Sequence, residues 1–125
     1  MNVPENLKYT EDHEWVKVDG DELIIGITDY AQGELGDVVF VETPFEGDTF
    51  EKGESAGTIE AVKTVADVLM PISGTVTAIN DALEDTPELL NKDAFGEGWI
   101  MKIRPESMES VNHLLDAETY QRLIS

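Results

Sequence analysis

The stretch that decides the fold is Ala56–Met70, AGTIEAVKTVADVLM. Small and β-branched residues dominate it, and it shows neither the stripe of an amphipathic helix nor the alternation of one clean strand. The pattern predicts two strands joined by a bend near Val62-Lys63. No Asn-Gly or Asp-Gly pair stands at that bend, so turn chemistry alone does not fix its position.

Lys63 lies in the middle of this stretch and is the only cation between Lys52 and Lys92. Acidic residues stand three positions before it (Glu60) and four after it (Asp67). The ordinary explanation is a surface lysine that keeps a half-buried hairpin soluble. The functional alternative is that a projecting amine with small neighbours is accessible to an enzyme that acylates it once it is deprotonated. The amide would carry no charge, which would change the formal net charge from −19 to −20.

Short β-branched runs punctuated by Gly, Asp and Pro continue on both sides, which is typical of an antiparallel β domain. Asp19-Gly20 supplies a turn for a hairpin. Thr28 can cap a short helix, and Gly36 can end it in the left-handed conformation. The predicted elements are a hairpin of Trp15–Val18 and Leu23–Ile27, a helix over Asp29–Leu35, strands over Val38–Val41 and Gly74–Ile79, a helical turn at Thr86–Glu88 and a last strand over Trp99–Ile103.

The pattern changes after Pro105, where apolar residues from Met108 to Leu115 recur at helical spacing. Asp116 can cap a second helix that follows them. Residues 106–125 are therefore predicted to form a helical cover on a single domain that spans residues 1–125.

Length and charge exclude several classes of function. The chain has 125 residues, with 27 Asp and Glu against 8 Lys and Arg, and its formal net charge is −19. It is too short for a large barrel or a doubly wound enzyme, yet its 41% hydrophobic share is that of a folded protein. Because a surface this acidic repels phosphate groups, we expect neither nucleic acid nor a membrane as a partner.

The chain contains no cysteine, which excludes disulfide scaffolds, zinc–thiolate sites, iron–sulfur ligation and thiol nucleophiles. Any sulfur chemistry must come from an attached group. The two histidines, His13 and His113, lack metal-ligand spacing, and Gly53–Gly57 matches a nucleophile elbow without the strand and helix that an elbow needs. We therefore expect no metal site and no catalytic residues.

No apolar run reaches the roughly 20 residues of a membrane span. The first residues have neither the basic end nor the apolar stretch of a signal peptide. A cytoplasmic location is the expectation.

Six segments of the chain carry a resemblance to a known family. They are Tyr9–Val16 (YTEDHEWV), Ile25–Gln32 (IGITDYAQ), Leu35–Val41 (LGDVVFV), Ile59–Lys63 (IEAVK), Pro71–Gly74 (PISG) and Gly98-Trp99. Their order and spacing are similar to those of the glycine cleavage H-protein family. The lysine motif alone is shared in outline with other lipoyl and biotinyl domains, whereas its combination with the His-Glu-Trp start and the Gly-Trp near the end is highly specific.

The resemblance implies a mainly β fold, a barrel-sandwich hybrid of two antiparallel sheets with short helices and a C-terminal helical segment. It also implies that Lys63 carries lipoic acid in amide linkage and that the protein is a carrier without catalytic activity of its own. The implied partners are the pyridoxal-phosphate glycine decarboxylase, which loads an aminomethyl group, the tetrahydrofolate-dependent aminomethyltransferase, which unloads it, and the dihydrolipoyl dehydrogenase, which restores the disulfide. A lipoate ligase or a lipoyl or octanoyl transferase would attach the cofactor.

The resemblance further places Glu14, Asp67 and Asp12 near the docked arm. An aminomethyl group is cationic at neutral pH, so pairing with a carboxylate and exclusion of water would both slow its loss. The competing explanation for each residue is a solvated surface acid, one of 27 in the chain.

Three alternatives to the shuttle remain at this point. A biotin carrier is disfavoured because no Met flanks Lys63. A lipoate depot, which would pass its lipoyl group to other enzymes, could have the same sequence at every position considered. An unmodified acidic interaction module would carry no group at Lys63. A carrier that meets several enzymes in turn should bind each weakly, which favours a monomer.

Overall fold

The computed structural model describes residues 2–125. Two antiparallel sheets form the molecule, one of six strands in the order β1-β2-β3-β9-β8-β5 and one of three in the order β4-β6-β7. The strands are β1 Lys8–Tyr9, β2 Glu14–Asp19, β3 Glu22–Ile27, β4 Val38–Glu42, β5 Thr49–Phe50, β6 Ser55–Ala61, β7 Val65–Leu69, β8 Gly74–Ile79 and β9 Met101–Pro105. The helices are α1 Asp29–Leu35, α2 Ala82–Asp85, α3 Leu89–Lys92, a 3₁₀ helix over Met108–His113 and α4 Ala117–Ile124. The predicted mainly β fold of two sheets with short helices is confirmed.

The stretch Ala56–Met70 forms two antiparallel strands, β6 and β7, as predicted, and the chain reverses at Val62-Lys63. The amide of Ala61 donates to the carbonyl of Thr64 across the reversal (2.8 Å). Neither Val62 nor Lys63 has a positive φ, so this is not one of the primed turns that select Asn-Gly. This backbone conformation explains why no Asn-Gly or Asp-Gly pair stands at the reversal.

Local signals placed the first hairpin and the first helix correctly. Gly20 has a φ of +67° in the turn between β2 and β3. The Thr28 side chain accepts from the Ala31 amide at the start of α1, and Gly36, with a φ of +80°, ends the helix. The Gly20 and Thr28 conformations are those that a turn glycine and a hydroxyl cap favour. Gly36 has the positive φ that suits glycine, but its ψ of −156° lies outside the left-handed helical conformation predicted for it.

The main core lies between the two sheets and is built from the inward residues of both. A second cluster packs the C-terminal helix against the first strands and contains Leu7, Tyr9, Trp15, Ala117 and Tyr120. The Trp15 indole lies directly over Gly26 of the neighbouring strand: a Cβ at Gly26 would come within 2.6 Å of the ring. Its Nε1 donates to the Ala94 carbonyl (2.9 Å).

Two predictions about elements need correction. The last strand covers Met101–Pro105 and not Trp99–Ile103, because the continuous register with β3 and β8 begins at Met101, and Ile100 adds one backbone bond to Ile25. The segment after Pro105 is a 3₁₀ helix over Met108–His113, and only α4, capped by the Asp116 side chain on the Thr119 amide, is an α-helix. The helical turn predicted at residues 86–88 precedes α3 directly, and α2, β1 and β5 were not predicted. In the part of the chain described, no helix has the length and apolar character needed to cross a bilayer.

Candidate functional site at the Lys63 hairpin

Lys63 is exposed at the tip of the β6–β7 hairpin. A hydrogen bond ties the hairpin tip to the segment before β4: the Val62 amide donates to the Asp37 carbonyl (3.0 Å). Neither of the two ion pairs found within residues 2–125 involves Lys63. Its side chain lies over Gly36, where a Cβ would come within 3.3 Å of the Lys63 Cε. The hairpin tip thus presents an exposed lysine amine that forms no ion pair with the acids of residues 2–125.

A cavity of about 340 Å³ lies beside this hairpin and beside the end of α1. Four acids line it, namely Asp12, Glu14, Glu34 and Asp67, and no Lys or Arg does. Its apolar wall is formed by Ile27, Leu35, Ile59 and Ala66. Because Glu34 and Leu35 directly precede Gly36, a chain extended from the Lys63 amine starts next to the cavity. An apolar wall with acidic groups suits a flexible apolar arm that ends in a cation.

Glu14 is the buried acid of this cavity, with only 2% of its surface exposed. One carboxylate oxygen accepts from the Thr10 hydroxyl (3.1 Å) and the other from the Leu69 amide (2.9 Å). Leu69 belongs to β7, an edge strand of the three-stranded sheet, whereas Glu14 begins β2 of the six-stranded sheet. The carboxylate therefore links the two sheets as well as facing the cavity.

The pKa of Glu14 is raised to about 8: burial is the main cause, the hydrogen bonds from Leu69 and Thr10 lower the pKa, and the charge of Asp12 raises it. The physical cause is loss of hydration by a charged group that has no cation beside it. A cation brought into the cavity would supply the missing partner and favour the ionised carboxylate.

Asp12 and Asp67 line the same cavity but differ from Glu14 in burial. Both are exposed. The Asp12 backbone amide donates to the Thr10 hydroxyl (3.2 Å), and Asp67 accepts from the Ser55 hydroxyl (3.3 Å) at the outer side of β7. The three acids named from the sequence are thus brought to one cavity, with Glu14 inside and the other two at its exposed edge.

Sequence reasoning missed His13, Tyr30 and Glu34 as cavity residues. Sequence reasoning gave Glu34 no function. His13 is the only non-glycine residue with a positive φ (+67°) in the described chain, and its ring packs on Tyr30 with centroids 4.8 Å apart. Histidine is enriched in this conformation together with asparagine and aspartate, but such residues are too rare for a histidine alone to predict it.

Two negative findings limit the chemistry of the described residues. No group of three or more His, Asp or Glu side chains between residues 2 and 125 is placed to hold a metal ion. Ser55, the centre of the elbow-like pentapeptide, begins strand β6 and does not lie between a strand and a helix. The pentapeptide therefore lacks the setting of a nucleophile elbow.

The comparisons with known proteins agree with one another. The family model for the glycine cleavage H-protein matches residues 7–125. The glycine cleavage system H protein of Bacteroides fragilis is 52% identical over 125 residues, which are 100% of this chain and 99% of that protein. The glycine cleavage system H protein of Thermus thermophilus is 48% identical over 124 residues, 99% of this chain and 97% of that one. A crystal structure of a glycine cleavage system H protein from Mycobacterium marinum superposes with a TM-score of 0.88 at 38% identity, over 96% of this chain and 97% of that chain.

Proposed function

This chain belongs to the glycine cleavage H-protein family, and on that premise we propose that its lipoyl group is attached to Lys63. The protein is a lipoyl carrier of the glycine cleavage system and has no catalytic activity of its own. Its partners are components of that system. The observation that carries the proposal is the placement of Lys63, exposed and without an ion-pair partner at a hairpin tip beside an acidic cavity.

The residues around Lys63 fit a lipoyl group. When bound, that group supplies a disulfide that accepts electrons together with an aminomethyl cargo, chemistry that a chain without cysteine cannot supply. The Lys63 amine would form the amide bond after losing a proton, displacing the leaving group of an activated acyl donor. The enzyme that catalyses this step is a lipoate ligase or a lipoyl or octanoyl transferase, for which the exposed hairpin leaves the amine accessible.

Glu14 is the residue that we assign to the amine of the cargo. Its carboxyl group is buried, faces the cavity and lacks a cation, so a docked ammonium group would favour its ionised form and pair with it away from water. Asp12 and Asp67 would add negative potential at the exposed edge of the cavity. Pairing with carboxylates and exclusion of water would slow hydrolysis of the cargo while the carrier moves between enzymes.

The finer identity of the partners follows from the cargo. A pyridoxal-phosphate decarboxylase releases the glycine carboxyl group as carbon dioxide and loads the aminomethyl group. An aminomethyltransferase passes the one-carbon unit to tetrahydrofolate and releases ammonia. A dihydrolipoyl dehydrogenase then restores the disulfide with NAD as the oxidant. Each of these enzymes must reach the same hairpin tip.

The test is the Lys63→Arg variant, which keeps the positive charge but cannot form the lipoyl amide. Expressed in a host that supplies lipoate, the natural chain should show the lipoyl mass on the peptide that contains Lys63, and the variant should show none. In a reconstituted glycine cleavage system the variant should support no glycine decarboxylation. Lys52→Arg, at the nearest preceding lysine in the chain, is the matched control and should keep both the mass increment and the activity.

Three results would contradict the assignment: a biotinyl mass increment, an increment that persists in Lys63→Arg, or decarboxylation supported by that variant.

A further inference from the structure

A buried hydroxyl group joins the C-terminal helix to the wall of the cavity. Tyr120 of α4 is completely buried, and its OH lies 2.9 Å from His13 Nδ1 and 2.7 Å from Thr28 Oγ1. Its ring stacks on that of Tyr9, with centroids 4.6 Å apart and planes 10° apart. We propose that Tyr120 is a positioning residue, which holds the turn of residues 10–14 and thereby sets the place and the solvation of Glu14. The importance of this positioning for the carrier rests on the proposed function of the cavity.

His13 has an unusual backbone conformation for a non-glycine residue. A φ of +67° is costly for a residue with a side chain, by about 1 kcal/mol or more, and persists only where the surroundings impose it. The His13 amide donates to the Thr10 carbonyl (3.1 Å), and its carbonyl accepts from the Thr28 amide (3.0 Å). Its ring lies between Tyr30 of α1 and Tyr120 of α4. Tyr120 supplies the only side-chain hydrogen bond that the structure gives to this ring.

The conformation of His13 affects Glu14, because Glu14 is the next residue in the chain. The turn is a closed unit, because the Thr10 hydroxyl accepts from the amides of Asp12 and Glu14 and donates to the Glu14 carboxylate. The same carboxylate accepts from Leu69 in the other sheet. If His13 shifts, the Glu14 side chain must tilt or give up one of these bonds, and water gains access to it.

Removal of the Tyr120 hydroxyl should affect only the surroundings of His13. Burial raises the pKa of Tyr120, so its phenol keeps its proton and can donate to one of its two partners. Without the phenol OH, Thr28 still caps α1 through the Ala31 amide (3.2 Å). The ring of a phenylalanine would keep the stack on Tyr9. Loss of the hydroxyl therefore removes the restraint on His13 and leaves the helices in place.

The experiment compares Tyr120→Phe with Tyr9→Phe. The two phenols stack on each other and both are buried, but the Tyr9 hydroxyl donates to the Pro4 carbonyl (2.6 Å), away from the cavity. Each variant loses one buried hydroxyl, but Tyr120→Phe loses hydrogen bonds to two partners and Tyr9→Phe a hydrogen bond to one. Thermal unfolding checks that both variants fold and measures any difference in stability between them.

The deciding measurement needs no lipoyl group. In the unmodified protein, NMR titration should show the Glu14 carboxyl titrating at lower pH in Tyr120→Phe, by about half a pH unit or more, because water relieves the burial that raises its pKa. Tyr9→Phe should leave that titration unchanged. The other groups that face Glu14 and His13 are Asp12, Glu34, Asp67 and Tyr30, which are the same in both variants.

A second variant guards against failure of the first to fold. His13→Asn removes the ring that contacts Tyr120 while keeping a residue type that tolerates positive φ. It should therefore lower the pH at which Glu14 titrates, as Tyr120→Phe does. The proposal is wrong if the Glu14 titration is unchanged in both variants, or if Tyr9→Phe shifts it as much as Tyr120→Phe does.

A separate measurement addresses the proposed function of the cavity. With the carrier loaded and no partner enzyme present, ammonia release should be several-fold faster in Tyr120→Phe than in Tyr9→Phe and fastest in Glu14→Gln. If the titration shifts while ammonia release in Glu14→Gln stays at the natural rate, the positioning role stands and the assignment of Glu14 to the cargo fails. The two proposals therefore fail separately.

Discussion

Glu14 shows how one residue can serve the fold and the site together. Its carboxylate accepts from Leu69 in the other sheet and faces the acidic cavity, yet it has no cation as a partner. Hydrogen bonds recover only part of the hydration that a buried carboxylate loses. The residue is therefore stable as a neutral acid in the free carrier and becomes a better carboxylate when a cation arrives.

A pH dependence of stability follows from this shift. The pKa of Glu14 is about 8 in the folded protein against 4.5 for an ordinary glutamate. Between these values the folded state holds a proton that the unfolded state has lost. The stability that depends on the protonated Glu14 carboxyl is therefore fully present below about pH 4.5 and is lost as pH rises through 8. Glu14→Gln keeps one acceptor for Leu69 and one donor for Thr10 but does not titrate.

The natural protein should therefore lose on the order of a few kcal/mol relative to Glu14→Gln between pH 5 and pH 8. Urea unfolding at several pH values measures this difference, and subtracting the two curves removes the effect of the other acids. Glu34→Gln, at an exposed acid of the same cavity, should run parallel to the natural protein. A constant difference between Glu14→Gln and the natural protein across this range would show that the carboxyl is not perturbed.

At the scale of elements, what could be predicted from the sequence depends on where the determining contacts lie. The β6–β7 hairpin, the β2–β3 hairpin and α1 were predicted because their signals are local: β-branched runs, a turn glycine, a hydroxyl cap. Strands β1 and β5 have two residues each and exist only through pairing with β2 and β8. The 3₁₀ helix shares its apolar spacing with an α-helix too closely for the pattern to separate them.

In the candidate site, too, residues with a local sequence signal differ from residues that are positioned by distant contacts. Lys63 stood out as a single cation in an apolar stretch, but only the resemblance favoured its modification, and the resemblance also pointed to Glu14, Asp67 and Asp12. That Glu14 alone is buried could not be predicted, since burial is set by Leu69 of another sheet, 55 positions away. The contact between His13 and Tyr120 spans 107 positions and has no local signature.

The packing of Trp15 on Gly26 gives a prediction for the β2–β3 pair. A methyl group at Gly26 would meet the indole at 2.6 Å, and the indole is fixed by its bond to Ala94. Gly26→Ala should cost about 2 kcal/mol or more, because overpacking forces the ring or the strand to move. Chemical denaturation gives the free energy of unfolding.

Gly33→Ala is the control of opposite sign. Gly33 lies within α1, and a Cβ there would meet no atom within 4 Å. The substitution should leave stability unchanged or raise it by up to about 1 kcal/mol, because alanine has the higher helix propensity. If both variants had the same stability, the close packing of Trp15 on Gly26 would not matter to the fold.

At the scale of the whole molecule, the net charge of −19 is spread over acids that are mostly unpaired. Only two ion pairs occur within residues 2–125, Lys102 with Asp19 and Arg104 with Glu22, and both lie on the six-stranded sheet. The long-range field of the carrier is therefore strongly negative, which favours fast and brief encounters with basic surfaces. A carrier that visits several enzymes in turn benefits from such encounters, since each complex must also dissociate quickly.

This field predicts that delivery of the carrier depends on salt. The Debye length falls from roughly 30 Å at 0.01 M to about 10 Å at 0.1 M, so encounters steered by long-range attraction should weaken steeply over that range. With the proposed partner, a pyridoxal-phosphate decarboxylase, and the lipoylated carrier, the apparent KM for the carrier should rise several-fold between these ionic strengths while kcat changes little. Turnover of the same enzyme with free lipoate in place of the carrier is the control, because a small substrate with one charge has little steering to lose. An apparent KM for the carrier that changed no more than this control would mean that the acidic surface serves solubility and does not guide the carrier to its partners.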